Sequence, residues 1–152
     1  MPENSNAAGN VIVVGVDGSD PSKDALRWAA GQAELTGDAL EVVMVWDEST
    51  EAFAQAETVP GGLNLEEFKQ HTVDDAIRQV LGEHPGIKVS TTMAEGSPAA
   101  ALLNAAKRAG MLVVGKRGHR GIAERLLGSV SQHCVEQAGC PVVVVHHDSG
   151  AV

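Results

Sequence analysis

The sequence predicts an α/β fold: one doubly wound sheet of five parallel strands with helices on both faces, for which the expected order is 3-2-1-4-5. Three observations predict the class. Short apolar runs alternate with helical patterns four times, and a fifth run closes the series; such alternation gives a mostly parallel sheet with right-handed crossovers. The runs NVIVVGV (10–16) and PVVVVH (141–146) are nearly continuous in β-branched residues, the pattern of strands covered on both faces. Polar cap and proline pairs, Asp20-Pro21 and Ser97-Pro98, mark two helix starts at the expected intervals.

In order, strand one is Asn10–Val16 and ends at the polar turn Asp17-Gly18-Ser19. Asp20 is the expected N-cap and Pro21 the first helical residue. The helix runs to Thr36, with Ala25, Leu26, Trp28, Ala29, Ala33 and Leu35 as its apolar stripe, and Gly37 ends it. Ala39–Trp46 is strand two. From Asp47 to Asn64 the periodicity disappears, and a loop of that length in a compact domain is usually functional or mobile.

The second helix spans Leu65–Gly82, with Leu65, Phe68, Val73, Ile77, Val80 and Leu81 at helical spacing. Pro85-Gly86 turns the chain into strand three, Ile87–Ala94. Ser97 caps a third helix that reaches Ala109, with Leu102 and Leu103 facing inward, and Gly110 closes it. Met111–Val114 is strand four. The fourth helix runs Ser129–Gln137, Gly139 and Pro141 break it, and Pro141–His146 is strand five. One domain, 10–147, lies between a flexible tail, 1–9, and a C-terminal tail, 148–152. Trp28 and Trp46 read as packing residues rather than stacking platforms, and His146 and His147 as surface residues.

Composition narrows the classes of function. The 152 residues are 43% apolar and 20% charged, as in a globular domain rather than a disordered chain. No apolar run approaches the roughly 20 residues of a membrane span. Met1–Asn10 lacks the basic and apolar segments of a signal peptide, so the expected location is the cytoplasm. A net charge of −9 argues against nucleic-acid binding, which needs a broad basic surface. Cys134 and Cys140 form neither a disulfide framework nor a zinc spacing and read as buried, reduced thiols.

Against this acidic background one stretch stands out. Gly115–Ser131 reads GKRGHRGIAERLLGSVS and carries Lys116, Arg117, Arg120 and Arg125 within ten residues. It follows strand four and leads into a helix that Ser129 can cap. Strand, glycine-punctuated basic loop and helix N-terminus together suggest a phosphate cradle. In the order 3-2-1-4-5 this loop neighbours the Asp17 turn at the switch point, where ligands of such sheets bind. The alternatives are that the glycines serve tight turns, that the basic side chains face solvent, and that Asp17 stabilises an Asx turn.

The loop is neither a Walker A sequence nor GxGxxG; its pattern is G-x2-G-x9-G-S, from Gly115 through Gly118 to Gly128-Ser129. Here the sequence resembles the ATP-binding branch of the universal stress protein family. The resemblance runs from VIVVGVDGS through GSPAAALL and VVGKRGHRG to LLGSVSQHC and CPVVVV.

It implies that Gly115, Gly118, Gly128 and Ser129 hold the ribose and phosphates of ATP, with Val130 and Ser131 adding N–H and hydroxyl groups. Lys116 lies near the nucleotide and contacts it through its backbone, with Arg117 beside it. Asp17 matches the acidic position that contacts the nucleoside, Val45 the backbone contact to adenine, and Gly15 and Val16 the floor. The physics agrees: a carboxylate suits ribose hydroxyls or the adenine amine better than a triphosphate. Magnesium would enter bound through the phosphates.

The resemblance also implies a homodimer through Val142–Val145, and edge valines are suited to pairing with another chain. Many members carry Ala-Asp before strand four, where this chain has Ala109-Gly110, a departure expected to touch stability more than binding. No nucleophile, base and orienter stand together as a recognisable catalytic set. The expected function is an ATP-binding, nucleotide-dependent stress-response regulator. The alternatives are a binder of AMP or cyclic AMP, an interaction module with an empty pocket, and a slow ATPase.

Overall fold

A computed structural model describes residues 10–44, 65–83, 85–93, 97–116 and 129–146. The elements are β1 (Val11–Val16), α1 (Asp20–Thr36), β2 (Ala39–Met44), α2 (Leu65–Leu81) and β3 (Val89–Met93). They continue with α3 (Pro98–Ala106), β4 (Met111–Gly115), α4 (Ser129–Gln137) and β5 (Val142–Val145). All strand pairs are parallel, and the order is β3-β2-β1-β4-β5, as the sequence predicts. The tails 1–9 and 148–152, the stretch Asp47–Asn64 and Trp46 lie outside the described residues.

The two-residue period of the strands divides the core into two layers. Ile12, Val14 and Val16 of β1 join Leu40, Val42 and Met44 of β2 and Val113 of β4 against α1 and α2. Val13, Val43, Leu112 and Val114 point the other way and pack on Leu102, Ala105 and Ala106 of α3 and Cys134 of α4. Full burial of each such valine or leucine is worth about 1.5–3 kcal/mol. A shift of one residue in β1 would exchange the two faces, so burial on both sides pins the register Val11↔Ala39 through Val16↔Met44.

Helix α1 begins at Asp20, one residue earlier than expected. Ser19, not Asp20, is the N-cap: its hydroxyl accepts from the Ser22 amide at 3.3 Å, and its carbonyl accepts from Lys23 N at 3.0 Å. Serine reaches the third amide of the turn, which leaves Asp20 as an exposed acid at the positive end of the helix dipole. At the other end Gly37, at φ 82°, takes the left-handed conformation and donates to Ala33 O at 2.8 Å.

The stripe expected on α1 is also corrected. Ser22, Ala25, Leu26, Ala29, Ala30 and Ala33 are buried, whereas Trp28 is 38% and Leu35 84% exposed. Both lie seven residues apart on the face turned away from the sheet.

Helix α3 stops at Ala106 rather than Ala109, because Lys107, Arg108 and Ala109 continue with tighter bonds to the carbonyls three residues back. Leu102 is fully buried and Leu103 half-buried, so α3 does face inward where expected. Strand β3 starts at Val89, two residues later than expected, and its three central residues are exposed at the sheet edge. Strand β4 extends one residue further, to Gly115, which is level with Val145 of β5.

Gly110 donates to Val11 O at 2.9 Å, and a Cβ there would come within 3.1 Å of Asn10. Glycine therefore fits this junction, where an aspartate would press on Asn10.

Candidate functional site

Strand β1 lies at the centre of the sheet, where the order reverses: β2 and β3 are added on one side, β4 and β5 on the other. The crevice beyond the carboxyl ends of β1 and β4 is the switch point at which such sheets bind ligands. Val14 is level with Val113, and extending that register sets Val16 level with Gly115. The turn after β1 and the end of β4 therefore emerge side by side.

The β1 turn is built by an interlocked set of short polar side chains. Oδ1 of Asp17 accepts from the Ser19 amide at 2.9 Å and also from the Ser19 hydroxyl. The Asp17 amide donates to Ser22 Oγ at 3.3 Å, and that hydroxyl donates onward to Ser19 O at 2.9 Å. Ser22 is 4% exposed, so its hydroxyl needs these partners to avoid the cost of an unsatisfied buried group. Gly18 closes the turn at φ +88°, a conformation that a side chain would strain. Asp17 thus takes the Asx-turn role, and the turn fixes its carboxylate at the mouth of the crevice.

Opposite it, β4 ends at Gly115. A Cβ on Gly115 would stand 2.9 Å from the carbonyl oxygen of Pro21 and 3.1 Å from its carbonyl carbon. Backbone cannot move aside as a flexible side chain can, so the first turn of α1 packs on Gly115 only because it is glycine. Lys116 N donates to Val145 O at 2.9 Å, which continues the β4–β5 pairing past the strand end. The Ser131 hydroxyl donates to Gly115 O, and Ser131 is 4% exposed.

One contact joins the two halves of the site, Pro21 against Gly115; the Asp17–Ser22 bond braces one half and the Ser131–Gly115 bond the other. Ser129 is the first residue of α4, so the leading amides of that helix, which have no intrahelical acceptor, open beside the end of β4. Val130 turns its side chain into the α3–α4 layer and leaves its backbone to the site.

Of the expected residues, Gly15 and Val16 are buried at the end of β1, and Asp17 lies in the turn that follows. Gly115 ends β4 with Lys116 after it, and Val130 and Ser131 lie in the first turn of α4. Ser129 enters through its backbone position. Val45, Arg117, Gly118 and Gly128 lie outside the described residues.

Ser19, Pro21 and Ser22 carry the geometry yet stand out less in the sequence than the glycines. Their signal was present in D-x-S-x-x-S, an Asx turn running into a serine cap. Ser22 appears there as an ordinary helix residue, and only burial reveals its bonding role.

Cys134 is buried and its thiol is pushed up to about 11 by loss of solvation. Cys140 is half-buried and raised for the same reason. Both are free thiols. His146 is exposed, as expected for a surface residue. Among the described residues no helix is long and apolar enough to cross a membrane, and no group of three His, Cys, Asp or Glu could hold a metal.

With this geometry in view, known proteins can be compared. The Universal stress protein family matches residues 10–146. A universal stress protein of Mycolicibacterium smegmatis is 37% identical over 144 residues, covering 92% of this chain and 49% of that protein. The chain spans about half the length of the mycobacterial relatives it matches.

A solved universal stress protein in complex with cAMP is 27% identical with a TM-score of 0.60, over 93% of this chain and 99% of that one. The universal stress protein of Archaeoglobus fulgidus in complex with dAMP is 24% identical with a TM-score of 0.62, over 90% and 98% of the two chains. At that identity it speaks for the fold alone.

Proposed function

The chain belongs to the universal stress protein family, and from that premise we propose that it binds ATP and acts as a nucleotide-dependent stress-response regulator in the cytoplasm. One observation carries the reading. The carboxylate turn of β1 and the glycine end of β4 are locked together at the switch point, beside the N-terminus of α4.

Each part suits one portion of an adenine nucleotide. Asp17 would accept from ribose hydroxyls or the adenine amine, with Gly15 and Val16 beneath. The leading amides of α4, from Ser129, Val130 and Ser131, face phosphate with the helix dipole behind them. Lys116 contributes its backbone at the rim, and Arg117, Gly118 and Gly128 complete the phosphate loop. Val45 offers backbone to adenine.

Magnesium would be held by the phosphate oxygens. The chain's own contribution is to hold and orient the nucleotide. The proposal extends to a homodimer through Val142–Val145, supported by the place of β5 at the sheet edge with all four valines half-buried.

A second reading is AMP or cyclic AMP as ligand. It is favoured by the 27% identical universal stress protein solved with cAMP, since the same cradle would hold one phosphate or three.

The test is to release and identify small molecules from freshly purified native protein, then measure binding of ATP, ADP, AMP and cyclic AMP with and without magnesium. Tightest binding of ATP is expected. A preference for AMP or cyclic AMP selects the second reading. Absence of binding by all four at millimolar ligand overturns both.

A further inference from the structure

Helix α1 carries an outward face, along one edge of which the Glu34 carboxylate lies beside Gly86. Its exposed residues beyond the first turns are Arg27, Trp28, Gly31, Glu34, Leu35 and, at its end, Thr36. At about 100° per residue, Trp28 and Leu35 fall within roughly 20° of each other on one flank of this face. Arg27 and Glu34 are likewise aligned on the other flank. Gly31 lies between the flanks, and an added Cβ there would meet nothing within 4 Å. Trp28 at 38% and Leu35 at 84% exposure are two of the three large apolar residues left in solvent among the described residues.

We propose that this face docks on a second copy of the chain, α1 against α1, antiparallel, with the two-fold axis beside Gly31. A two-fold axis across antiparallel helices reverses position along the helix and keeps each flank on its own side. Trp28 then meets Leu35 of the other copy, and Arg27 meets Glu34 of the other copy, each twice.

A parallel pairing would set Trp28 against Arg27 and Leu35 against Glu34, matching neither charge nor polarity. The arrangement of charge therefore selects both the occupant and its direction. Gly31 at the crossing lets the two backbones approach toward the short end of the 8–10 Å range for packed helices.

Arg27 already binds Asp24 of its own helix at 2.7 Å. Its guanidinium has five N–H donors, enough to bridge Asp24 and an incoming Glu34. The net charge of −9 on each copy opposes approach, but near-physiological salt screens it beyond about 8 Å and leaves pairs in contact less affected. One helix face is small against the roughly 1,000 Å² of a stable interface, so the contact is a weak, reversible one. It lies over a sheet face and uses none of the residues of β5.

Sedimentation equilibrium over a protein concentration series tests the pairing, using wild type, Arg27→Glu, Glu34→Arg, an equal mixture of these two, and the double variant. Each single variant sets like charges against each other twice and is expected to weaken the self-association by about tenfold or more. The mixture and the double variant restore opposite charges at both contacts and should recover the wild-type mass.

Trp28→Ser and Leu35→Ser should weaken it without any change of charge, and thermal melts identify any variant that fails to fold. Masses equal to wild type in the single variants overturn the proposal. So does a mixture that stays dissociated while both components are folded. Because β5 is untouched, a failure here leaves the nucleotide reading and the β5 pairing standing.

Discussion

The Ser131 hydroxyl donates to the main-chain carbonyl of Gly115, so the first turn of α4 is tied to the last residue of β4. The same glycine receives the Pro21 carbonyl on its bare α-carbon. Two helices on opposite faces of the sheet are thus positioned by one residue at the switch point. Any ligand group that sits on the leading amides of α4 inherits its position from this junction.

Gly115→Ala should destabilise the protein. The added methyl meets backbone at 2.9 Å, and forced overpacking typically costs about 1–3 kcal/mol. A thermal or urea melt should show the loss without ligand, and an unchanged melt would mean that the first turn of α1 can retreat freely.

Ser131→Ala removes the bond to Gly115 and should cost about 1 kcal/mol, more if the carbonyl is left without a partner. If α4 presents its amides to phosphate, ATP affinity should fall as well. Equilibrium binding of ATP and of adenosine separates the effects: loss for ATP alone points to the phosphate end.

Asp17→Asn keeps a side-chain oxygen for the Ser19 amide and removes only the charge. The melt should stay close to wild type while nucleoside affinity falls about tenfold, the scale of one charged hydrogen bond. Equal ATP affinity in the variant would confine Asp17 to its turn.

Val143→Asp places a carboxylate among half-buried edge valines. If β5 forms the dimer seam, the mass at protein concentrations too low for the weak α1 pairing should drop to that of one chain. A mass unchanged by the substitution would remove β5 from the interface.

Burial raises the Cys134 thiol from its ordinary 9.0 to about 11, so the folded state favours the protonated form. The stabilising contribution is intact below the unfolded value and is lost as pH rises through the folded one. Stability should therefore decline between about pH 9 and 11, and this part of the slope should vanish in Cys134→Ala. A thiol reagent at pH 8 should modify half-buried Cys140 before Cys134.

The strands were legible because valine-rich runs such as Val11–Val16 have no comfortable place except a sheet covered on both faces. Caps were legible to within a residue: Ser97 was found, while Asp20 outranked Ser19 only because both residue types suit the position. The face of α1 was not legible, because Trp28 and Leu35 are apolar and only their angle to Ala29 and Ala33 decides burial. The roles of Gly115 and Ser131 were half legible. Their motif marked the place, but the Pro21 contact comes from a helix whose start lies ninety-odd residues away.

The sequence by itself determined the α/β class and the family, since these follow from local periodicity and motif. The expected strand order, and with it the meeting of the two loops, rested on strand pairing that only the fold supplies. The tertiary structure decided which side chains join those loops. Ser22 became a buried bridge, Gly115 the bearing for Pro21, and Ser131 the tie from α4 to β4. Such contacts between distant segments depend on how the layers pack, and local pattern carries no record of that distance.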